Sequence, residues 1–341
     1  MKGYIVAAGE GVRMRPLTTN LPKPLLPIAG KPFLQHLIET LRAAGITELT
    51  VLVGWRGDRI RERFGDGQRF GVKLSYLEQE QRLGTADAVR RFEPQADGPF
   101  LCINGDVVLS PQALEGLLAK HRREPGTTVG LAAVEEPRRF GVVRLEQGRV
   151  VDIVEKPESP ESNLVNAGAY IFHPEVFDAI RRTERSPRGE LEVTDSLKLL
   201  MAEHPIYGYE LPGAWIDVAR PWELLDANAV LMRDLVPRQE GTVEPGATLR
   251  GPVVVARGAH IRSGSYLEGP VIIDEEAEVG PNCYLRPSTY IGRRCKVGAA
   301  SEVKNSIVMD DTKLPHHNYV GDSVIGERCN FGAGTKVANL R

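Results

Sequence analysis

Two spaced cations behind a glycine-rich turn are the first residues of this chain whose types and spacing could do chemistry. Ala8, Gly9 and Gly11 follow a strand-like apolar run over residues 3–8; Arg13 comes next, and Lys23-Pro24 closes the stretch ten residues later. Gly9 and Gly11 let backbone N–H groups approach phosphate oxygens with no Cβ in the way, and a concave row of such donors binds anions. Arg13 and Lys23 supply the fixed positive charge a triphosphate needs. Met14 stands where G-x-G-x-x-G requires a third glycine, and no G-K-[ST] follows. Neither common nucleotide fingerprint is met.

Further groups fit the same chemistry. Gln79 stands five residues before Gly84-Thr85-Ala86. A side-chain amide carries a donor and an acceptor on one edge, the complement of the N3–H and a carbonyl of uracil or thymine. The alternative is a surface residue, since 78–82 is polar throughout. Asn104-Gly105-Asp106 follows the apolar run 100–103, and Trp215-Ile216-Asp217 supplies a second carboxylate far away in sequence. Mg2+ takes hard oxygen ligands, commonly one or two carboxylates together with substrate phosphates. Asp106 and Asp217 are carboxylates of this kind, although either alone could cap a loop.

These stretches resemble the signature of the sugar-1-phosphate nucleotidylyltransferases. The resemblance extends, in the family's order, to Phe140-Gly141-Val142-Val143, Val154-Glu155-Lys156-Pro157 and Val165-Asn166-Ala167-Gly168. It implies that Ala8, Gly9, Gly11, Gln79, Gly84 and Thr85 bind the nucleotide. Gly141 would offer its N–H to the sugar ring, Glu155 would accept from ring hydroxyls, and Asn166 would hold the 2- or 3-substituent. The implied catalytic set is Arg13, Lys23, Asp106, Lys156 and Asp217, with Lys156 on the sugar phosphate and Asp106 and Asp217 as the two ligands of a Mg2+ cofactor. UTP or dTTP and a hexose-1-phosphate (glucose- or N-acetylglucosamine-1-phosphate) are the implied substrates. No protein nucleophile is needed, because the sugar phosphate itself attacks the α-phosphorus; positioning and charge neutralisation do the rest. A non-catalytic regulatory homologue is the alternative from another class. Such a protein is expected to have lost charged phosphate or metal residues, yet all five are present.

To gather these groups at one rim, the first two-thirds of the chain must fold as strands alternating with helices. Strands are expected at 3–8, 49–53, 72–77, 100–103, 128–134 and 169–172, with amphipathic stretches such as 32–44 and 86–92 between them. That alternation implies an α/β, Rossmann-like, mainly parallel sheet covered on both faces, with ligands beyond the carboxyl ends of its strands. The nucleotidyltransferase domain is placed at 1–228 and a linker at 229–242, with a helix over 221–234.

From 243 to 341 the apolar period is six. Val243, Leu249, Val255, Ile261, Leu267, Ile273, Val279, Leu285, Ile291, Val297, Val303 and Met309 keep one register; after a four-residue offset it resumes at Tyr319, Ile325, Phe331 and Val337. A six-residue repeat reads as a parallel β-helix rather than a β-sandwich. It resembles the hexapeptide-repeat left-handed β-helix, which implies a homotrimer. Within it, Arg286, Lys304, His316, Tyr319, Asn330 and Asn339 resemble the acetyltransferase site of two-headed N-acetylglucosamine-1-phosphate uridylyltransferases of archaeal type. By that match Arg286 and Lys304 grip a sugar phosphate, His316 is a general base, and Tyr319, Asn330 and Asn339 orient substrate, with acetyl-CoA as co-substrate. The plain alternative for His316-His317 is a solvated loop. Family members continue for several coils beyond the point matching Arg341, so a natural short form or a truncated chain is expected, with acetyl transfer in doubt.

Bulk properties exclude other classes. A formal charge of −2 in 341 residues, with signs mixed along the chain, gives no pull toward nucleic acid or anionic lipid. No h-region and no eighteen-residue apolar run is present, so no membrane partner and a cytoplasmic location are expected. Cys102, Cys283, Cys295 and Cys329 show no C-x-x-C spacing and read as reduced thiols.

Overall fold

A computed structural model describes residues 1–339, so the last two positions of the expected 243–341 domain lie outside the described residues. Two compact units emerge. The first comprises Met1–Val12, Thr18–Leu25 and Leu34–Asp217; the second takes 13–17, 26–33 and the chain from Val218 onward.

Strand β1 (Gly3–Ala7) opens the first unit; the short β2 (Pro27–Ile28) and β3 (Lys31–Pro32) form a hairpin assigned to the second. There follow α1 (Phe33–Ala43), β4 (Glu48–Val53), α2 (Gly57–Phe64), β5 (Lys73–Glu78), α3 (Thr85–Arg90), β6 (Phe100–Asn104) and β7 (Val107–Leu109). Next come α4 (Pro111–Arg123), β8 (Thr127–Ala133), β9 (Gly141–Glu146), β10 (Arg149–Glu155) and β11 (Leu164–Phe172). The unit ends with α5 (Val176–Arg182), α6 (Val193–Met201), β12 (Ile206–Glu210) and β13 (Trp215–Asp217).

Nine strands make one sheet in the order β5-β4-β1-β6-β11-β8-β12-β10-β9. Its β5-β4-β1-β6 half is parallel, as the strand–helix alternation predicts. The other half is mixed: β11 runs antiparallel to both neighbours, and β9–β10 is a hairpin. Gln147 and Gly148 sit at φ +49° and +79° at its tip, the two positive-φ positions that a tight hairpin turn demands. The parallel character is thus concentrated around β1 and the glycine-rich turn that follows it.

Alternate residues of each strand enter opposite cores. Tyr4, Phe100, Cys102, Tyr170 and Phe172 face Ala86, Val89, Phe177, Ile180 and Leu197 from α3, α5 and α6. Ile5, Leu101, Ile103, Ala169 and Ile171 face Leu34, Leu37, Ile38, Ile60 and Leu114 from α1, α2 and α4. With both faces covered, the strand ends and their loops are the exposed part of the sheet.

In the second unit, α7 (Glu223–Leu231) falls inside the helix expected at 221–234. Its Asn228 is fully buried and takes the Ala29 N–H at 2.9 Å while donating to the Ser288 carbonyl at 2.8 Å. Beyond it, short strands form three all-parallel sheets. Val253 pairs with Val271 and Val271 with Thr289, a step of eighteen residues, which is three hexads per coil. Val255, Ile261, Leu267, Ile273, Val279, Leu285, Ile291, Val297 and Val303 share one buried cluster.

The register needs one correction. Inward residues continue through Val308, Leu314, Val320 and Ile325, not through Met309 and Tyr319. The coil is shortened by a single residue at two places, and ladder steps become seventeen, as from Glu302 to Tyr319. A rigid six-count cannot see such a slip, because Met309 is apolar and Tyr319 begins a strand. Among the described residues, no helix is long and apolar enough to cross a membrane.

Candidate functional site

The rim of the first unit is built where β1, β4, β5 and β6 end. After β1, Ala8 is buried and Gly9 is exposed. The loop is tied back by Thr18, whose hydroxyl donates to the Gly11 carbonyl at 2.7 Å. A methyl placed on Gly105 would lie 2.9 Å from the Val6 carbonyl oxygen, so the 104–106 turn packs directly against the end of β1. That close approach carries Asp106 to the phosphate loop. There Lys23 Nζ, with 11% of its side chain exposed, donates to Asp106 Oδ2 at 2.8 Å.

Asp217 arrives from the far end of the unit. β13 pairs antiparallel with β7, and Asp217 lies opposite Val107, the residue after Asp106. Cross-strand partners are about 4.5–5.5 Å apart at Cα, and one residue adds a Cα step of about 3.8 Å. Asp106, in the turn that leads into β7, and Asp217, at the end of β13, thus come from neighbouring stretches of backbone, and magnesium commonly takes one or two carboxylates together with phosphates and water. Among the described residues, no group of three or more His, Cys, Asp or Glu could hold a metal. β13 is pinned by Trp215, whose Nε1–H donates to the Ala167 carbonyl at 2.9 Å.

Gln79 follows β5, is 7% exposed, and donates its Nε2–H to Asp87 Oδ2 at 3.0 Å. It is not the surface residue its polar neighbours suggest. Gly84 adopts φ +124°, a conformation side chains rarely take. The Thr85 hydroxyl accepts the Val193 N–H at 2.9 Å, and Ala86 N–H donates to the Leu191 carbonyl at 2.8 Å. The start of α3 is therefore stitched to segment 191–193.

That segment leads to the expected sugar residues. A methyl on Gly141 would stand 3.2 Å from Glu155 Oε2 and 3.6 Å from the Asn166 Cβ, so the three converge. Asn166 is held by Tyr170, accepting at 2.7 Å, and by the Gly168 N–H at 3.1 Å. Burial pushes the Tyr170 phenol far above its ordinary range, so it stays a neutral hydroxyl. Gly168 in turn abuts Asn104, whose Nδ2 would lie 2.5 Å from a methyl there. Lys156 Nζ contacts Glu155 Oε1 at 3.1 Å.

Three participants were not read from the sequence. Arg188 Nη1 reaches Glu155 Oε1 at 3.4 Å and Glu192 Oε1 at 3.1 Å, and the Thr194 hydroxyl donates to Glu155 Oε2 at 3.3 Å. Burial, and then the Glu155 charge, raise the Glu192 carboxyl above its ordinary pKa. The run Arg188-Gly189-Glu190-Leu191-Glu192 carries the signal, a cation beside carboxylates just ahead of a helix. Arg13 is exposed and belongs to segment 13–17, which clusters with the second unit.

The other set of expected residues lies in the second unit. Four of its residues belong to one parallel sheet: Arg286 follows the strand Tyr284–Leu285, Lys304 ends Glu302–Lys304, Tyr319 opens Tyr319–Gly321, and Asn339 follows Lys336–Ala338. Arg286 is paired with Glu302 at 3.1 Å and Lys304 with Asp322 at 3.0 Å. Asn339 Nδ2 donates to Ser323 Oγ at 2.9 Å. His316 is exposed on the turn before Tyr319, and Asn330 bridges to Lys313 on another face.

The model of the nucleotidyl transferase family matches residues 2–233, and that of the GMPPB C-terminal domain matches 267–341. The chain is 43% identical to the bifunctional protein GlmU of Methanocaldococcus jannaschii, over all of this chain and 81% of that one. It is 39% identical to the bifunctional sugar-1-phosphate nucleotidylyltransferase/acetyltransferase of Sulfurisphaera tokodaii, over all of this chain and 83% of that one. Among solved structures, a putative glucose-1-phosphate thymidylyltransferase from Bacillus anthracis superposes with a TM-score of 0.63 at 32% identity, covering 70% of this chain and 98% of that one.

Proposed function

The chain belongs to the nucleotidyl transferase family, among the sugar-1-phosphate nucleotidylyltransferases of the archaeal bifunctional type, and from that premise we propose how its residues divide the work. The enzyme transfers a nucleoside monophosphate to a sugar-1-phosphate. A phosphate oxygen of the sugar attacks the α-phosphorus of UTP or dTTP. A P–O bond forms, the bond to the β-phosphate oxygen breaks, and pyrophosphate leaves with its electron pair. No protein group need become covalent.

Lys23 neutralises the triphosphate, while Ala8, Gly9 and Gly11 present backbone to it. Gln79, Gly84 and Thr85 frame the base. Glu155 accepts from the sugar hydroxyls, Gly141 and Asn166 orient the ring, and Lys156 draws in the attacking phosphate, with Arg188 beside it. Asp106 and Asp217 would hold magnesium, which when bound offsets the charge gathered on the phosphates. One observation supports this most: the Lys23–Asp106 pair lies beside the ladder that brings in Asp217.

The second unit is proposed as a left-handed β-helix that assembles three copies. Its Arg286, Lys304, His316, Tyr319, Asn330 and Asn339 form a subsite for acetyl transfer from acetyl-CoA to glucosamine-1-phosphate. Pyrophosphate release is measured for UTP and dTTP, each with glucose-, glucosamine- and N-acetylglucosamine-1-phosphate. At least one pairing turns over; none doing so would overturn the reading. Free thiol released from acetyl-CoA with glucosamine-1-phosphate tests the second site, and its absence removes that part. Sedimentation at the mass of one chain would remove the trimer.

A further inference from the structure

Asp87 is the one carboxylate of α3 with no contact to solvent, at 0% exposed. It is ion-paired with Arg90 at 2.8 Å and with Arg91 at 3.5 Å. Its Oδ2 also accepts the Gln79 Nε2–H at 3.0 Å, a hydrogen bond between two buried side chains. An ion-paired carboxylate accepts and cannot donate. The Gln79 amide can therefore face Asp87 only with its nitrogen end; turned over, it would point a carbonyl oxygen at a carboxylate. The remaining edge, Oε1 and the second N–H, is thereby fixed in polarity.

That polarity matters because uracil and cytosine differ by its inversion. Uracil and thymine offer N3–H as donor and the 4-carbonyl as acceptor. Cytosine offers a lone pair at N3 and an amino donor at C4. An amide locked with Oε1 at N3 and N–H at position 4 matches the first and opposes the second, whereas a freely flipping amide matches either.

We infer that Asp87 is a positioning residue for base choice: by holding the Gln79 amide in one orientation, it makes the site favour uracil or thymine over cytosine. The inference rests on the reading of Gln79 as the base contact. Asparagine at 87 can accept from Nε2 or donate to Oε1, so it releases the flip while keeping the size.

Kinetics with UTP and with CTP, at saturating sugar-1-phosphate, test this. Asp87→Asn lowers the UTP-to-CTP ratio of kcat/KM by about tenfold or more, the discrimination a paired donor–acceptor contact carries. Arg90→Gln removes a cation from the same carboxylate but leaves the amide contact, and it keeps the wild-type ratio. A purely structural role would depress both nucleotides together. An unchanged ratio in folded Asp87→Asn overturns the inference. Gln79→Ala separates the two failures. If it retains the wild-type ratio, Gln79 does not read the base and the underlying reading falls. If it loses the ratio while Asp87→Asn does not, only the role of Asp87 falls. Should Asp87→Asn fail to fold beside two unmatched arginines, Asp87→Asn/Arg90→Gln/Arg91→Gln, compared with Arg90→Gln/Arg91→Gln, gives the same reading on a neutral cluster.

Discussion

Lys23 is nearly enclosed and would be costly to bury without a counter-charge; Asp106 provides one at 2.8 Å. Under the proposed function, a phosphate would compete with Asp106 for this cation. The sugar side repeats the arrangement, with Glu155 between Lys156 and Arg188. An incoming phosphate exchanges one anion for another on these cations, and a charge-assisted hydrogen bond contributes about 1.5–3 kcal/mol. Lys156→Ala should therefore lower kcat/KM by about 10–100-fold when sugar-1-phosphate is varied, and initial rates that match wild type would remove Lys156 from the phosphate. Lys23, Asp106, Glu155 and Asn166 stand in ordered motifs, which is why the sequence singles them out as candidates. Arg188 and Thr194 were not singled out, because each meets Glu155 from more than thirty residues away; Asp87 was not, because its bond to Gln79 spans the turn at Gly84 and follows no motif.

The elements locate the site by ending at one place. β1 and β6 are adjacent and parallel, so their carboxyl ends open together, and the 104–106 turn is pressed onto β1. Alternation of strands and helices foretold that half. The mixed half was less visible, since an antiparallel β11 and the β9–β10 hairpin leave no helix between strands to mark them. The solenoid register slipped past a fixed count of six for a similar reason: one residue lost at a turn moves every later inward position. The start of α3 is the most demanding element. A methyl on Gly84 would lie 2.5 Å from the Leu191 nitrogen, at a φ of +124°. Gly84→Ala should cost about 1–3 kcal/mol from backbone strain alone, and it should loosen the tie between Thr85 and Val193. A lowered urea midpoint with a raised KM for nucleotide is expected; wild-type values for both would show that the turn tolerates a side chain.

At the scale of the whole molecule, the chain joins an α/β unit to a set of parallel ladders whose inward residues share one apolar cluster. The change of period near residue 242 marks where the parallel ladders begin, whereas the compact units divide after Asp217, and segments 13–17 and 26–33, which cluster with the second unit, were not foreseen. They are short and carry no periodicity of their own. Only contacts made in three dimensions assign them, such as the Ala29 N–H on Asn228. The account stands on charge compensation at the rim of the first unit, and Asp106→Asn tests it most directly. The substitution keeps the size of the side chain and removes the charge that faces Lys23 and neighbours Asp217. Pyrophosphate release should fall by about a hundredfold or more while the thermal unfolding curve stays close to wild type. Full turnover in the folded variant would contradict the account.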